Sequence, residues 1–134
     1  MERLILDTGA LILLERGDID SDQLGDDDAD VAISAITAAE LLVGVELADH
    51  QRRDPRSTLV EGVFTRVEIV AYDLTIARHH ATLLAHVRRA GQPRGAHDLQ
   101  IAATARATGR TILTTDKDAF TGLPGVSYQV IAAS

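Results

Sequence analysis

The chain has 134 residues, 46% of them apolar and 25% charged, with a net charge of −7 and no cysteine. That length supports one ordered domain that buries about 65% of the surface its unfolded chain would expose. The missing cysteine excludes a disulfide framework and a thiolate zinc site, and no apolar run approaches the ~18 residues of a membrane span.

The start, Met1-Glu2-Arg3, enters an apolar run without the basic lead and long apolar core of a signal peptide, so a cytoplasmic location is the default, with secretion left open. Leu4, Ile5 and Leu6 follow one another, which predicts a strand buried on both faces, as in a parallel sheet. It ends on Asp7, and ligands of open parallel sheets bind beyond the carboxyl ends of the strands. Thr8 to Arg16 carries Leu11, Ile12, Leu13 and Leu14 and stops at Gly17, which predicts a first helix capped by Thr8. A strand-to-helix turn favours Asp and Thr for capping alone, so Asp7 has a structural explanation as well. Asp18 to Asp30 is acidic, densest over 25–30, and lacks the spacing and terminal Glu of a calcium loop; it reads as solvated loop.

Val31 to Ser34 predicts a second buried strand and Thr37 to Asp49 a helix that is apolar round most of its girth. Its exceptions, Thr37, Glu40 and Gly44, share one face at i, i+3 and i+7. A carboxylate beside a glycine there suggests an acid at a cleft floor, while Thr37-Ala38-Ala39-Glu40 also fits a capping box. His50 to Arg66, with Arg52, Arg53 and Arg56, reads as a loop and a helix facing solvent. Val67 to Tyr72 predicts a third strand. Asp73 to Ala90 predicts a long helix with Ile76, Ala77, Leu83, Leu84 and Val87 inward, closed by Gly91. His79, His80 and His86 on that helix lack a third ligand nearby and give only a weak zinc signal.

Residues 91–95 form a loop that leads into a helix, on which Asp98 shares a face with Ile101, Ala102 and Ala105 and so points inward, as an N-cap or as a functional acid. Gly109 ends that helix. Thr111 to Thr114 makes a short strand followed at once by Thr115-Asp116-Lys117-Asp118, repeating the opening pattern; one of the two aspartates would cap a short helix. Val126 to Ile131 supplies a last edge strand. Strands alternate with helices over residues 1–134, which predicts a single three-layer α/β domain with a mainly parallel sheet flanked by helices.

Asp7, Glu40, Asp98 and Asp116 can all be carried to one edge of such a sheet. Clustered carboxylates repel unless cations or protons neutralise them, and hard oxygen ligands favour Mg²⁺ or Mn²⁺. Two such ions suit phosphodiester cleavage. An overall charge of −7 argues against general capture of nucleic acid, but two divalent cations would bring it to −3 and invert the field inside the site.

These motifs, in order Leu6-Asp7-Thr8, Ser34 to Gly44, Asp98 to Ala105 and Thr114 to Phe120, resemble the PIN-domain ribonucleases, most of all the VapC toxins of bacterial toxin–antitoxin pairs. The resemblance implies that Asp7, Glu40, Asp98 and Asp116 are a catalytic, metal-holding acid site, with Asp118 as an accessory metal acid. It implies that Thr8, Thr114 or Thr115 orients water or ligands through its hydroxyl. It further implies a metal-dependent endoribonuclease cutting single-stranded RNA such as tRNA or rRNA, a homodimer, and inhibition by a cognate VapB-type antitoxin. Gly9 departs from the pattern, since many relatives carry Asn or Ser there; a hydrogen bond near the first acid would be lost or replaced by water.

Two expectations go beyond the motifs. Arg94 would hold an RNA phosphate near the site, with Arg88 and Arg89 extending the track, although arginines at a helix end also suit the helix dipole. Leu11 to Leu14, with part of the Glu40 helix, would form a groove for an antitoxin helix. Rival readings are a PIN-like module that binds RNA or protein without cutting, and a phosphoacceptor signalling domain. The latter is disfavoured because Asp98 opens a helix and no acidic pair follows the first strand; a haloacid-dehalogenase-type phosphotransferase is disfavoured by Gly9.

Overall fold

The computed structural model describes residues 1–18 and 28–132. The expected acidic loop therefore lies largely outside the described residues. Among the described residues the elements run in the order β1 (Arg3–Leu6), α1 (Thr8–Glu15), β2 (Asp30–Ser34), α2 (Ala35–Glu46), α3 (His50–Arg66), β3 (Glu68–Val70), α4 (Leu74–Ala90), α5 (Ala96–Thr108), β4 (Thr111–Thr114) and β5 (Tyr128–Val130). The strands form one sheet in the order β3-β2-β1-β4-β5. Every pairing in it is parallel.

Alternation along the strands explains the three layers. Ile5 and Ile112 face one cluster with Ile76, Leu83 and Val87 of α4, Ile101 of α5, and Phe120. Their neighbours Leu4, Leu6, Ile33 and Leu113 face the opposite cluster with Leu11 of α1, Ala38 of α2 and Val63 of α3. Apolar residues on both faces of a strand therefore require helices on both faces of the sheet.

Several element boundaries differ from the sequence reading, each for a local reason. Ser34, at the end of β2, accepts from the Thr37 amide at 3.2 Å and starts α2 two residues early. Asp49 accepts from the Arg52 amide at 3.0 Å, so His50–Arg66 is one continuous helix, with Val60 and Val63 buried. Asp73 caps α4 through the Ile76 amide at 2.9 Å, and the strand ahead of it shortens to Glu68–Val70. After Asp116 the chain forms turns rather than a short helix. Of the α4 histidines that gave only a weak zinc signal, His80 bonds through Nδ1 to the Tyr72 hydroxyl at 2.8 Å.

The sheet order places a topological switch between β1 and β4, since the chain fills one side with β2 and β3 and then crosses to the other. Arg110 fastens the opposite, amino-terminal edge. It is 3% exposed. Its Nη1 donates to the Leu4 carbonyl at 3.1 Å and to the Asp30 carbonyl at 2.9 Å, and its Nη2 donates to Glu68 Oε2 at 2.7 Å. One guanidinium thus links the beginnings of β1, β2 and β3 to that of β4.

Replacing it by methionine, Arg110→Met, leaves the buried Leu4 carbonyl without that donor and is expected to cost about 1–3 kcal/mol in urea unfolding. The Arg110 hydrogen bond holds the Asp30 carboxyl below its usual range. A depressed folded pKa stabilises the protein above the unfolded pKa and is lost as pH falls through the folded one. Arg110→Met should therefore flatten the acid limb of the stability profile.

Candidate active site at the carboxyl edge of the sheet

Beyond the carboxyl ends of β1 and β4 lie Asp7 and the segment from Thr115 to Asp118. Asp7 is 8% exposed. Its Oδ1 accepts from the Ala10 amide at 2.9 Å, which makes Asp7, and not Thr8, the cap of α1. Its Oδ2 accepts from the hydroxyl of the fully buried Thr114. The same hydroxyl accepts from the Asp116 amide at 3.0 Å. Thr114 therefore joins Asp7 to the Asp116 backbone across the switch point.

Thr8 reaches Glu40. Its hydroxyl donates to Glu40 Oε1 at 3.0 Å, linking the start of α1 to the face of α2. Glu40 is thus directed to the cleft and the capping role belongs to Ser34. His97, unremarked in the sequence, brings Nδ1 within 3.4 Å of the same Glu40 oxygen. Only its adjacency to Asp98 could have flagged it.

Asp98 lies in the first turn of α5, whose cap residue is Gly95 with no side-chain cap, so the N-cap explanation of Asp98 fails. A Cβ on Gly95 would stand 3.4 Å from Asp98 Oδ2, a tight contact. Glycine there leaves the carboxylate its space. Asp116 Oδ1 accepts from the amides of Asp118 at 2.8 Å and Ala119 at 3.1 Å, shaping the turn that replaces the expected helix. Asp118 is exposed, and its amide rather than its carboxylate makes that link.

The four acids stand in one another's fields. Burial pushes the Asp7 carboxyl up, and the charges of Asp116 and Glu40 add to the rise against the pull of the Thr114 and Ala10 hydrogen bonds. Burial also pushes Asp98 up, with repulsion from Asp116, Asp7 and Glu40, while His97 lowers it. Asp118 is not among the charges that act chiefly on either. The acid set is all hard oxygen, which suits Mg²⁺ or Mn²⁺. As the side chains lie, no three such ligands among the described residues converge to hold an ion.

Position 9 resolves differently from expectation. A Cβ on Gly9 would lie 2.5 Å from Thr115 Oγ1 and 3.7 Å from Asp7 Oδ1. The place a side chain would occupy beside the first acid is taken by the Thr115 hydroxyl.

Next to the acids, α1, α2 and α3 enclose a cleft of about 340 Å³ whose lining includes Leu11, Ile12, Leu41, Leu59 and Val60, with Thr8 and Glu40 in its wall. Leu11 is fully buried and Ile12 is 40% exposed. Leu13 and Leu14 pack on the core cluster and line no part of this cleft. Arg88 and Arg89 are exposed in the last turn of α4. Arg94 is half-buried, with both terminal nitrogens donating to backbone carbonyls.

Comparison with known proteins agrees with this geometry. The PIN domain model matches residues 4–125. A tRNA(fMet)-specific endonuclease VapC of Salmonella typhimurium is 32% identical over 99 residues, 74% of either chain. A ribonuclease VapC of Rickettsia bellii is 31% identical over 122 residues, 90% of either chain. In the crystal structure of DNA-bound VapBC from Salmonella typhimurium, a chain of 26% identity superposes with a TM-score of 0.83, covering 97% of this chain and 98% of that one. The chain belongs to the PIN domain family, among its VapC-type members.

Proposed function

We propose that this protein is a divalent-metal-dependent endoribonuclease, the toxin of a toxin–antitoxin pair, which cuts single-stranded regions of tRNA or rRNA in the cytoplasm and so inhibits translation. The observation that carries the reading is that Thr114 bonds both Asp7 and the Asp116 amide while Thr8 bonds Glu40, so that acids distant in sequence are tied together at the carboxyl edge of the sheet, with Asp98 in their field. Names of the VapC relatives support the reaction class.

Asp7 serves as the fixed anchor, because both of its oxygens are held. Thr8 orients Glu40, and Thr114 sets the Asp116 backbone against Asp7. These acids would hold Mg²⁺ or Mn²⁺, with Asp118 as an accessory at the rim. A bound ion of this kind polarises a phosphodiester and lowers the pKa of an attacking water. Arg88 and Arg89 offer exposed positive charge for RNA phosphate.

A VapB-type antitoxin would lie in the cleft between α1, α2 and α3, an assembly named in the solved VapBC structures. Since Thr8 and Glu40 belong to both the cleft and the acid cluster, a segment seated there abuts the site. A homodimer is the remaining element of the reading, and Val43 and Leu47 of the α2 region, 52% and 81% exposed, provide apolar surface for it.

Incubation of a total RNA pool with purified protein and Mg²⁺ or Mn²⁺ should yield cuts at one or a few sites, absent with EDTA and in Asp98→Asn. A folded, antitoxin-free wild type that cuts nothing would favour the binding-module reading.

Without divalent ions a second signature is expected. Raised folded-state carboxyl pKa values mean that the folded protein holds protons the unfolded chain has released. The contribution of Asp7 and Asp98 to stability is then full below the ordinary carboxylate range and is lost as pH rises through their raised values. Mn²⁺ should reverse that loss, and Asp98→Asn should raise the Tm in EDTA at neutral pH while shrinking the gain from Mn²⁺.

For the cleft, Ile12→Asp should remain folded and lose affinity for the antitoxin in calorimetry, whereas Leu14→Asp should lower the Tm. Full affinity in folded Ile12→Asp would remove the cleft from the antitoxin interface.

A further inference from the structure

Arg94 stands four residues before Asp98, in the loop between α4 and α5. Its Nη1 donates to the Gln92 carbonyl at 3.0 Å, within its own loop. Its Nη2 donates at 2.6 Å to the carbonyl of Thr121, 27 residues further on. Nε is enclosed without a partner, and the side chain lines a shallow cleft with Leu84, Val87, Pro93 and Leu99. The guanidinium is therefore seated between two loops.

Thr121 belongs to the turn that carries the last acid. Its hydroxyl donates to the Lys117 carbonyl at 3.1 Å, and Lys117 adjoins Asp116, whose Oδ1 holds the amides of Asp118 and Ala119. On the other side, α5 begins without a side-chain cap. Among the described residues, the Arg94 to Thr121 link is the hydrogen bond that ties the 91–95 loop to the turn after β4. A planar fork with several donors in fixed directions suits two carbonyls at once, which a point charge does less well.

We propose that Arg94 is a positioning residue whose fork joins the loop before Asp98 to the turn after Asp116 and fixes the separation of those two carboxylates. This replaces a phosphate-holding role for Arg94 and rests on the nuclease reading above.

The experiment compares wild type, Arg94→Met, which keeps the apolar stem, and Arg94→Lys, which keeps the charge without the fork. Mn²⁺ affinity is measured by calorimetry, kcat and KM on the RNA the wild type cuts, and binding of that RNA in EDTA across a salt series. Arg94→Met should raise the Mn²⁺ Kd about tenfold and lower kcat by about tenfold or more. KM, RNA affinity and the salt slope should stay at wild-type values, and Arg94→Lys should show the same pattern in weaker form. A phosphate contact would instead reduce the salt slope by about 0.7 on a single strand. That loss with unchanged Mn²⁺ affinity and kcat would overturn the proposal, as would an Arg94→Met protein equal to wild type in every readout. A wild type that neither cuts RNA nor binds Mn²⁺ would overturn the nuclease reading and this inference together.

Discussion

Like-charge repulsion at the carboxyl edge of the sheet is the constraint around which the rest of the structure is arranged. Burial, and after it the charges of the neighbouring carboxylates, raise the cost of ionising Asp7 and Asp98. The protein holds them there with short-range directional bonds. Thr114 joins Asp7 to the Asp116 backbone, the Ala10 amide holds the other Asp7 oxygen, and Thr8 holds Glu40. Three threonine and backbone donors thus oppose a repulsion that an unsupported cluster would relieve by spreading.

The opposite edge has the reverse character. There one buried cation, Arg110, gathers the Leu4 carbonyl, Asp30 and Glu68 from three strands. Attraction at the amino-terminal edge and repulsion at the carboxyl edge meet on the central strands β1 and β4. The fully buried middle, Ile5, Ile33, Ile112 and Leu113, connects them rigidly. Substitutions at the two edges should therefore differ in sign: loss of Arg110 weakens the fold, while loss of a site acid relaxes the ion-free protein. This division follows from the parallel sheet itself, in which the carboxyl ends are the binding edge.

Buried strands and caps were legible because their signals are local. Leu4 to Leu6 needed no partner to be recognised as doubly buried, and Gly91 and Gly109 marked the ends of α4 and α5, where both adopt positive φ. The four acids were legible through motif order. What escaped the sequence depends on pairings distant along the chain. Glu40 fits a capping box as text, and only the approach of Thr8, 32 residues away, shows that it turns to the cleft. Arg94 reads as a free cation until the Thr121 carbonyl comes within 2.6 Å. Arg110 gave no signal at all, because its acceptors, on Leu4, Asp30 and Glu68, lie on three different strands.

Small residues beside the acids complete the argument about how the site is held. Gly95 keeps a Cβ away from Asp98, and Gly9 yields its place to the Thr115 hydroxyl. At position 9 a hydroxyl that follows β4 stands where a side chain at the start of α1 would otherwise reach. The first acid is then framed by groups from two segments more than a hundred residues apart, Thr114 and Thr115 on one side and the α1 amides on the other. Such a frame exists only when β1 and β4 are paired. Assembly of the site and closure of the sheet at its switch point are consequently the same event.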